Sequence, residues 1–170
     1  MIKAGKKEIT PDVISFTSVL DAWAKSKEPN KGVRSWELLE QLLELYKTTK
    51  RPNLRPTQIP YNSVLNACAF SAMGTTMEEQ REALQIAVNT FTLMRKSEVP
   101  PDTVTYGNML KCLANLMPQG DVRNKMSLQI FEKCREAGLV GALVWNEVRR
   151  AVQSKLLDEE LRLSRPCGSM

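Results

Sequence analysis

One stretch of sequence recurs at a fixed interval along this chain of 170 residues, and that period constrains the fold more than any other feature. Steps of 45 residues lead from Pro11 to Pro56 and Pro101, where similar sequences begin: PDVISFTSVLDAWAKS, PTQIPYNSVLNACAFS and PDTVTYGNMLKCLANL. A period of roughly 20–50 residues is typical of solenoids, in which similar units stack and each contacts its neighbours. The sequence therefore predicts a stack of repeated supersecondary units.

The apolar residues within each unit are spaced three and four positions apart, as on the buried face of a helix. Each unit contains two such stretches, with Gly, Pro and Asn between them, and no stretch has the pattern of a strand. Thr76 and Glu79 have the spacing of a capping box. Asp121 is a candidate cap for the second helix of the third unit. The pattern predicts an all-α fold with helices near 13–25, 31–49, 59–71, 76–97, 103–117 and 122–137, and one from about 142.

The predicted units are not all complete. Trp145 takes the place held by an aromatic residue in the earlier units, but Arg149 then stands where those units have leucine. We expect residues 1–10 to be the tail of a preceding repeat in a longer protein, and residues 156–170 to be a C-terminal tail that starts with a short charged helix. The units between them are 11–55, 56–100, 101–140 and a partial unit at 141–155.

Composition narrows the function classes. The formal charge of +5 makes an anionic partner plausible without requiring one. The chain has no histidine and no Cys-x-x-Cys, so we expect no metal, no cofactor and no enzymatic activity on a small-molecule substrate. No apolar run approaches the roughly 18 residues of a membrane helix. The cysteines are predicted to be buried free thiols: Cys68, Cys112, Cys134 and Cys167.

Several of these units resemble pentatricopeptide repeats. The resemblance covers the chain to about residue 153 and is carried by PDTVTY at 101–106, YNSVL at 61–65, AVNTFTLMRKSEVPPD at 87–102 and SLQIFEKCREAGL at 127–139. It implies a right-handed α-solenoid of helix–turn–helix repeats that binds single-stranded RNA. It also implies a mitochondrial or plastid factor for RNA processing, stability or translation.

The resemblance also implies which residues contact bases. In the family, one residue early in the first helix and one just before the next unit form a base-reading pair. By that register Asn62 pairs with Asp102, a combination that the family associates with uracil. Thr17 with Thr57 fits no common pairing. Gly107 with Gly141 offers no side chain, and the partner of Asn146 lies beyond any recognisable repeat.

Two further groups of residues are candidates for RNA contact. The positions that sandwich a base in the family are aliphatic here: Ile14, Ile59, Val104 and Leu143. A basic run is a candidate for phosphate contact: Lys47, Lys50, Arg51 and Arg55.

Each of these assignments has an alternative. The aliphatic residues could be ordinary packing at a helix start, Asn62 and Asp102 could be helix caps, and the basic run could be a solvated loop. A different function also remains open. The groove could bind a peptide or a partner helix, as in tetratricopeptide scaffolds.

Overall fold

The structure, a computed structural model, describes residues 11–71 and 76–163. These segments contain eight α-helices and one 3-10 turn, Pro52–Leu54, and within them there is no strand. The helices are α1 (Val13–Lys25), α2 (Lys31–Thr49), α3 (Gln58–Ala69), α4 (Met77–Lys96), α5 (Thr103–Leu116), α6 (Asp121–Glu136), α7 (Ala142–Ala151) and α8 (Ser154–Leu163). The segments predicted to be a preceding repeat's tail, 1–10, and the end of the C-terminal tail, 164–170, lie outside the described residues. So does Cys167.

Every helix boundary predicted from the sequence is within two residues of the observed one. The end of the repeat region differs from the prediction, because α8 crosses the boundary placed between residues 155 and 156. Leu157 of α8 is buried against the core. The fourth unit is therefore also two consecutive helices. The second is the short charged helix expected from residue 156, and it begins two residues earlier, at Ser154.

Side-chain caps determine where several helices begin. Asp12, Thr57 and Asp102 each accept a backbone N–H of the helix that follows. The predicted capping box is confirmed, with Thr76 and Glu79 each bonding the other's backbone N–H. The predicted Asp121 cap is wrong. The cap of α6 is Gly120, and Asp121 is already the first helical residue, where its charge favours the helix dipole.

The first helices of the four units, α1, α3, α5 and α7, lie side by side, each packed on the next. Hydrogen bonds between α3 and α5 join Asn62 to Thr105 and Ala69 to Asn115, so positions advance together along both helices and the two run parallel. The second helices α2, α4 and α6 each pack on their own first helix and on that of the next unit. The described residues form an all-α repeat solenoid.

Aromatic rings fill the junctions between units. The ring of Phe91 on α4 lies 5.6 Å from that of Tyr106 on α5, and Phe131 on α6 lies 5.2 Å from Trp145 on α7. Tyr61 and Tyr106 are buried, whereas Phe16 and Trp145 are half-buried. The predicted equivalence of these positions is confirmed at the later junctions, where a second-helix ring meets the first-helix ring of the next unit.

Three of the predicted thiols are confirmed as buried and free: Cys68, Cys112 and Cys134. Burial raises the pKa of Cys68 to about 12 and that of Cys134 to about 11, and it raises the pKa of Cys112 well above its ordinary value. Among the helices described here, none has the length and apolar character needed to cross a membrane.

Candidate nucleic-acid interface

Asn62 and Asp102, which are 40 residues apart in sequence, are in direct contact. Asn62 lies in the second turn of α3, and Asp102 caps α5. The Asn62 Nδ2 donates to Asp102 Oδ1 at 3.1 Å. The stacking of parallel first helices brings them together, since it places the start of α5 beside the second turn of α3. The predicted pairing is therefore present in the structure.

A third residue, Thr105, contacts both members of the pair, and the Asp102 carboxylate sets the orientation of the Asn62 amide. Its Oγ1 lies 2.8 Å from Asn62 Oδ1 and also 2.8 Å from Asp102 Oδ1. A carboxylate can only accept hydrogen bonds, so the amide nitrogen must face Asp102 and the amide oxygen must face the hydroxyl. One N–H and one oxygen lone pair of the amide remain for a ligand, in a fixed order.

Sequence reasoning missed the roles of Thr105 and Asn108. Thr105 is fully buried and completes a capping box with Asp102, while Asn108 Nδ2 donates to the Asn62 backbone carbonyl at 3.2 Å. The spacing of Asp102 and Thr105, three residues apart at a helix start, is a signal that could have identified the first. No local pattern indicates the second, because its partner is on another helix.

Two aliphatic side chains flank this polar pair and are left in solvent. Ile59 on α3 is 57% exposed, and Val104 on α5 is 44% exposed. Large aliphatic residues at these levels of exposure are not core packing, which removes the alternative of ordinary helix-start packing for both. They lie on neighbouring helices, as required of residues that contact the two faces of one planar base.

The first pair, Thr17 and Thr57, differs from the second. The Thr17 hydroxyl donates to the Val13 carbonyl at 2.7 Å, and Thr57 Oγ1 accepts the N–H of Ile59 as the cap of α3. No hydrogen bond joins the two threonines in residues 11–71. Ile14, the aliphatic position of this unit, is 70% exposed. The first unit thus presents an exposed aliphatic side chain, but both of its candidate hydroxyls are bonded locally.

The third pair is closed. Gly107 is buried, and a Cβ placed on it would lie 2.5 Å from Cγ of Leu143. Leu143, predicted to sandwich a base, instead packs onto Gly107 and is half-buried there. A Cβ on Gly141 would lie 3.1 Å from Thr103 Cγ2. The surface at Gly107 is therefore covered, because α7 approaches α5 closely at this position. Asn146 of α7 is exposed.

The basic run begins in the last turn of α2 and continues past its end, and its four basic side chains are exposed. Lys47 lies 3.8 Å from Glu44, and the ammonium of Lys50 lies 5.5 Å from the centre of the Tyr46 ring. Arg51 and Arg55 flank the 3-10 turn that leads to Thr57. The run is therefore next in sequence to the first candidate pair, with its charges accessible to a polyanion.

Residues 2–70 match the family model of the pentatricopeptide repeat domain. Over these residues the chain is similar to pentatricopeptide repeats. The comparisons found no significant match to it among curated proteins or solved structures.

The repeat register continues beyond the matched residues. The helices α5 and α6 pack as α3 and α4 do, and Tyr106 occupies the position of Tyr61 at the next junction. The Asn62–Asp102 contact joins a repeat inside the matched segment to one outside it. The chain is a repeat-type scaffold for binding, and its most completely built candidate site lies between its second and third units.

Proposed function

We propose that this chain binds single-stranded RNA and recognises one uracil between α3 and α5, as part of an organellar RNA-processing, stability or translation factor. The observation that carries the proposal is the Asn62–Asp102–Thr105 network, which presents an oriented amide between two exposed aliphatic side chains. The base would stack between Ile59 and Val104, where its burial would remove both side chains from water.

The fixed amide explains how uracil would be distinguished from cytosine. Uracil presents a carbonyl oxygen beside an N–H, whereas cytosine presents an amino group beside an acceptor nitrogen, so the donor and acceptor are exchanged. An amide that is free to rotate could match either base. The Asn62 amide cannot reverse without placing its oxygen against the Asp102 carboxylate, and it therefore favours one order.

The test is RNA binding by the Asn62→Ala variant. We expect it to lose the preference for uracil at a single nucleotide, at a cost of about 1–3 kcal/mol of binding free energy. The measurement is a fluorescence-anisotropy titration of single-stranded RNAs in which each uridine of a uridine-rich oligomer is replaced in turn. Asn89→Ala, a matched change at an exposed position on α4, should retain the parental preference.

Arg51→Ala tests the phosphate contribution. Because a phosphate contact carries no base information, this variant should weaken all sequences alike and reduce the dependence of affinity on salt. Binding by Asn62→Ala that matches the parent for every RNA would show that this surface does not recognise bases.

A protein-binding groove is the second candidate function. The exposed aliphatic side chains of Ile14, Ile59 and Val104 favour it, since they occupy one position in successive first helices. An apolar groove that holds a peptide should bind with little dependence on salt, whereas RNA binding should weaken steeply. The same titrations, repeated over a salt series, therefore distinguish the two functions.

A further inference from the structure

A second concave site lies further along the same helices. A cavity of about 800 Å³ is enclosed by the end of α1, the loop to α2, the start of α2 and the end of α3. Its volume is in the range of small-molecule sites in proteins. Asn66 of α3 and Phe70, the C-cap of that helix, line it, one and two turns beyond Asn62. It is therefore separate from the uracil site.

The cavity is strongly basic. Lys25, Lys27 and Lys31 line it, and Glu28 is the single acid among its described lining residues. The helix α2 begins in its wall, and Asn30 at the cap position makes no side-chain hydrogen bond to the first N–H groups. Those N–H groups and the positive end of the helix dipole add to the attraction for an anion.

Lys31 is a buried cation that lacks a counter-ion. The residue is only 8% exposed, and its Nζ donates to the Ser26 carbonyl at 3.1 Å. In residues 11–71 and 76–163 no carboxylate forms a salt bridge with it. Burial lowers the pKa of Lys31. A charge held out of water is normally paired, so an anion in the cavity would supply what the protein does not.

Phe70 adds an aromatic surface beside these charges. Its side chain is 39% exposed, and two ammonium groups lie over the ring, Lys111 at 5.2 Å and Lys31 at 5.9 Å from its centre. Exposed aromatic side chains flanked by cations are typical of sites where a base stacks and its phosphate is neutralised. The Asn66 amide, one turn earlier, could bond the edge of that base.

We propose that this cavity binds a phosphorylated nucleotide, with the phosphate at Lys31 and the start of α2 and the base on Phe70. The nucleotide could be free or part of an RNA strand. In the RNA case the inference rests on the proposed function and adds a second contact for the same strand.

The first experiment is calorimetric titration of the whole chain with adenosine 5′-monophosphate, adenosine and inorganic phosphate. If the nucleotide is free, adenosine 5′-monophosphate should bind saturably and at least about tenfold more tightly than adenosine, because adenosine lacks the charge that pairs with Lys31. Phe70→Leu should weaken the nucleotide but leave inorganic phosphate unchanged. Lys31→Gln should weaken both, and Lys96→Gln, the same change at an exposed site on α4, should weaken neither.

The second experiment covers the RNA case. If the nucleotide belongs to a strand, Phe70→Leu and Lys31→Gln should each weaken a uridine-rich oligomer by about tenfold, whichever base is varied, because stacking and phosphate contacts are not base-specific. If these variants lose RNA affinity and Asn62→Ala does not, the result contradicts the proposed uracil site and supports the cavity as the RNA contact. The proposal is overturned if adenosine 5′-monophosphate does not bind saturably and neither variant changes RNA affinity. Phe70→Leu alters an exposed side chain, so its result stands even if Lys31→Gln fails to fold.

Discussion

At the scale of single residues, one position decides whether the space between two first helices is open. Asn62 and Gly107 occupy equivalent places in successive repeats. Where the side chain is Asn62, Ile59 and Val104 stay exposed around a polar group. At Gly107, which has no side chain, the side chain of Leu143 fills the space between the two helices. Glycine here permits a close approach of α7, which leaves the third unit without a base-sized gap.

A double-mutant cycle at Gly107 and Leu143 tests this closure. Gly107→Ala alone should destabilise the fold, because overpacking costs about 1–3 kcal/mol while the better helix former recovers only about 1 kcal/mol. In a Leu143→Ala background the same change should stabilise by up to about 1 kcal/mol, since the clash is gone. The measurement is the free energy of unfolding from urea titrations. Equal effects in both backgrounds would contradict the contact.

The candidate site could be predicted from the sequence only in part. The repeat register placed Asn62 opposite Asp102, because stacking makes equivalent positions neighbours whatever their identity. It could not show that Thr105 contacts the amide oxygen or that Leu143 covers Gly107, since both depend on side-chain packing between helices. The cavity at Phe70 was also missed. Phe70 lies where the other units have Lys25 and Asn115, so no repeated pattern marks it.

At the scale of elements, the helix limits were predictable because local chemistry sets them. Caps and breakers lie next to one another in sequence, so they can be identified without the fold. The exception at Asp121 shows the limit of this approach. Gly120 and Asp121 both suit a helix start, and the chain enters the helix one residue earlier than the side-chain rule suggests.

The capping box of α4 allows an element-scale prediction. Thr76→Ala should lower the free energy of unfolding by about 0.5–2 kcal/mol, because the Glu79 N–H loses the hydroxyl that accepts it at 3.2 Å. The check is a urea titration followed by circular dichroism. Thr92→Ala removes the same atoms from an exposed position inside α4, where alanine is the better helix former. Thr92→Ala should not destabilise, and an equal loss in both variants would argue against the cap.

At the scale of the whole molecule, stability depends on thiols that are buried along the stack. In the folded state Cys68, Cys112 and Cys134 have pKa values raised above the ordinary value of 9.0. The unfolded chain therefore loses these protons at a lower pH than the folded chain. Their contribution is fully present below about pH 9 and decreases as the pH rises toward the folded values of about 11 for Cys134 and about 12 for Cys68.

The prediction is a loss of stability in alkaline solution. Each thiol should lower the free energy of unfolding by up to about 1.4 kcal/mol per pH unit above that point, measured by urea titration with a reductant present. Cys68→Ala should show a smaller slope than the parent. Burial also raises the pKa of Tyr61 and Tyr106, so the slope should decrease without disappearing. An unchanged slope in Cys68→Ala would show that this thiol is not protected by folding.

The two helix–helix interfaces on either side of α3 differ in the number of side-chain hydrogen bonds that cross them. In the described part of the chain, one side-chain hydrogen bond, Ser63 to Asp21, crosses between α1 and α3, whereas the interface between α3 and α5 also has bonds from Cys112 and Asn115 to α3 carbonyls. Packed helices shear most easily where the fewest bonds oppose sliding. Bending of the stack would therefore concentrate between α1 and α3. Such bending would change the width of the cavity at Phe70, while the spacing between α3 and α5 around Asn62 stays constant. The scaffold would then have a flexible site next to a rigid site.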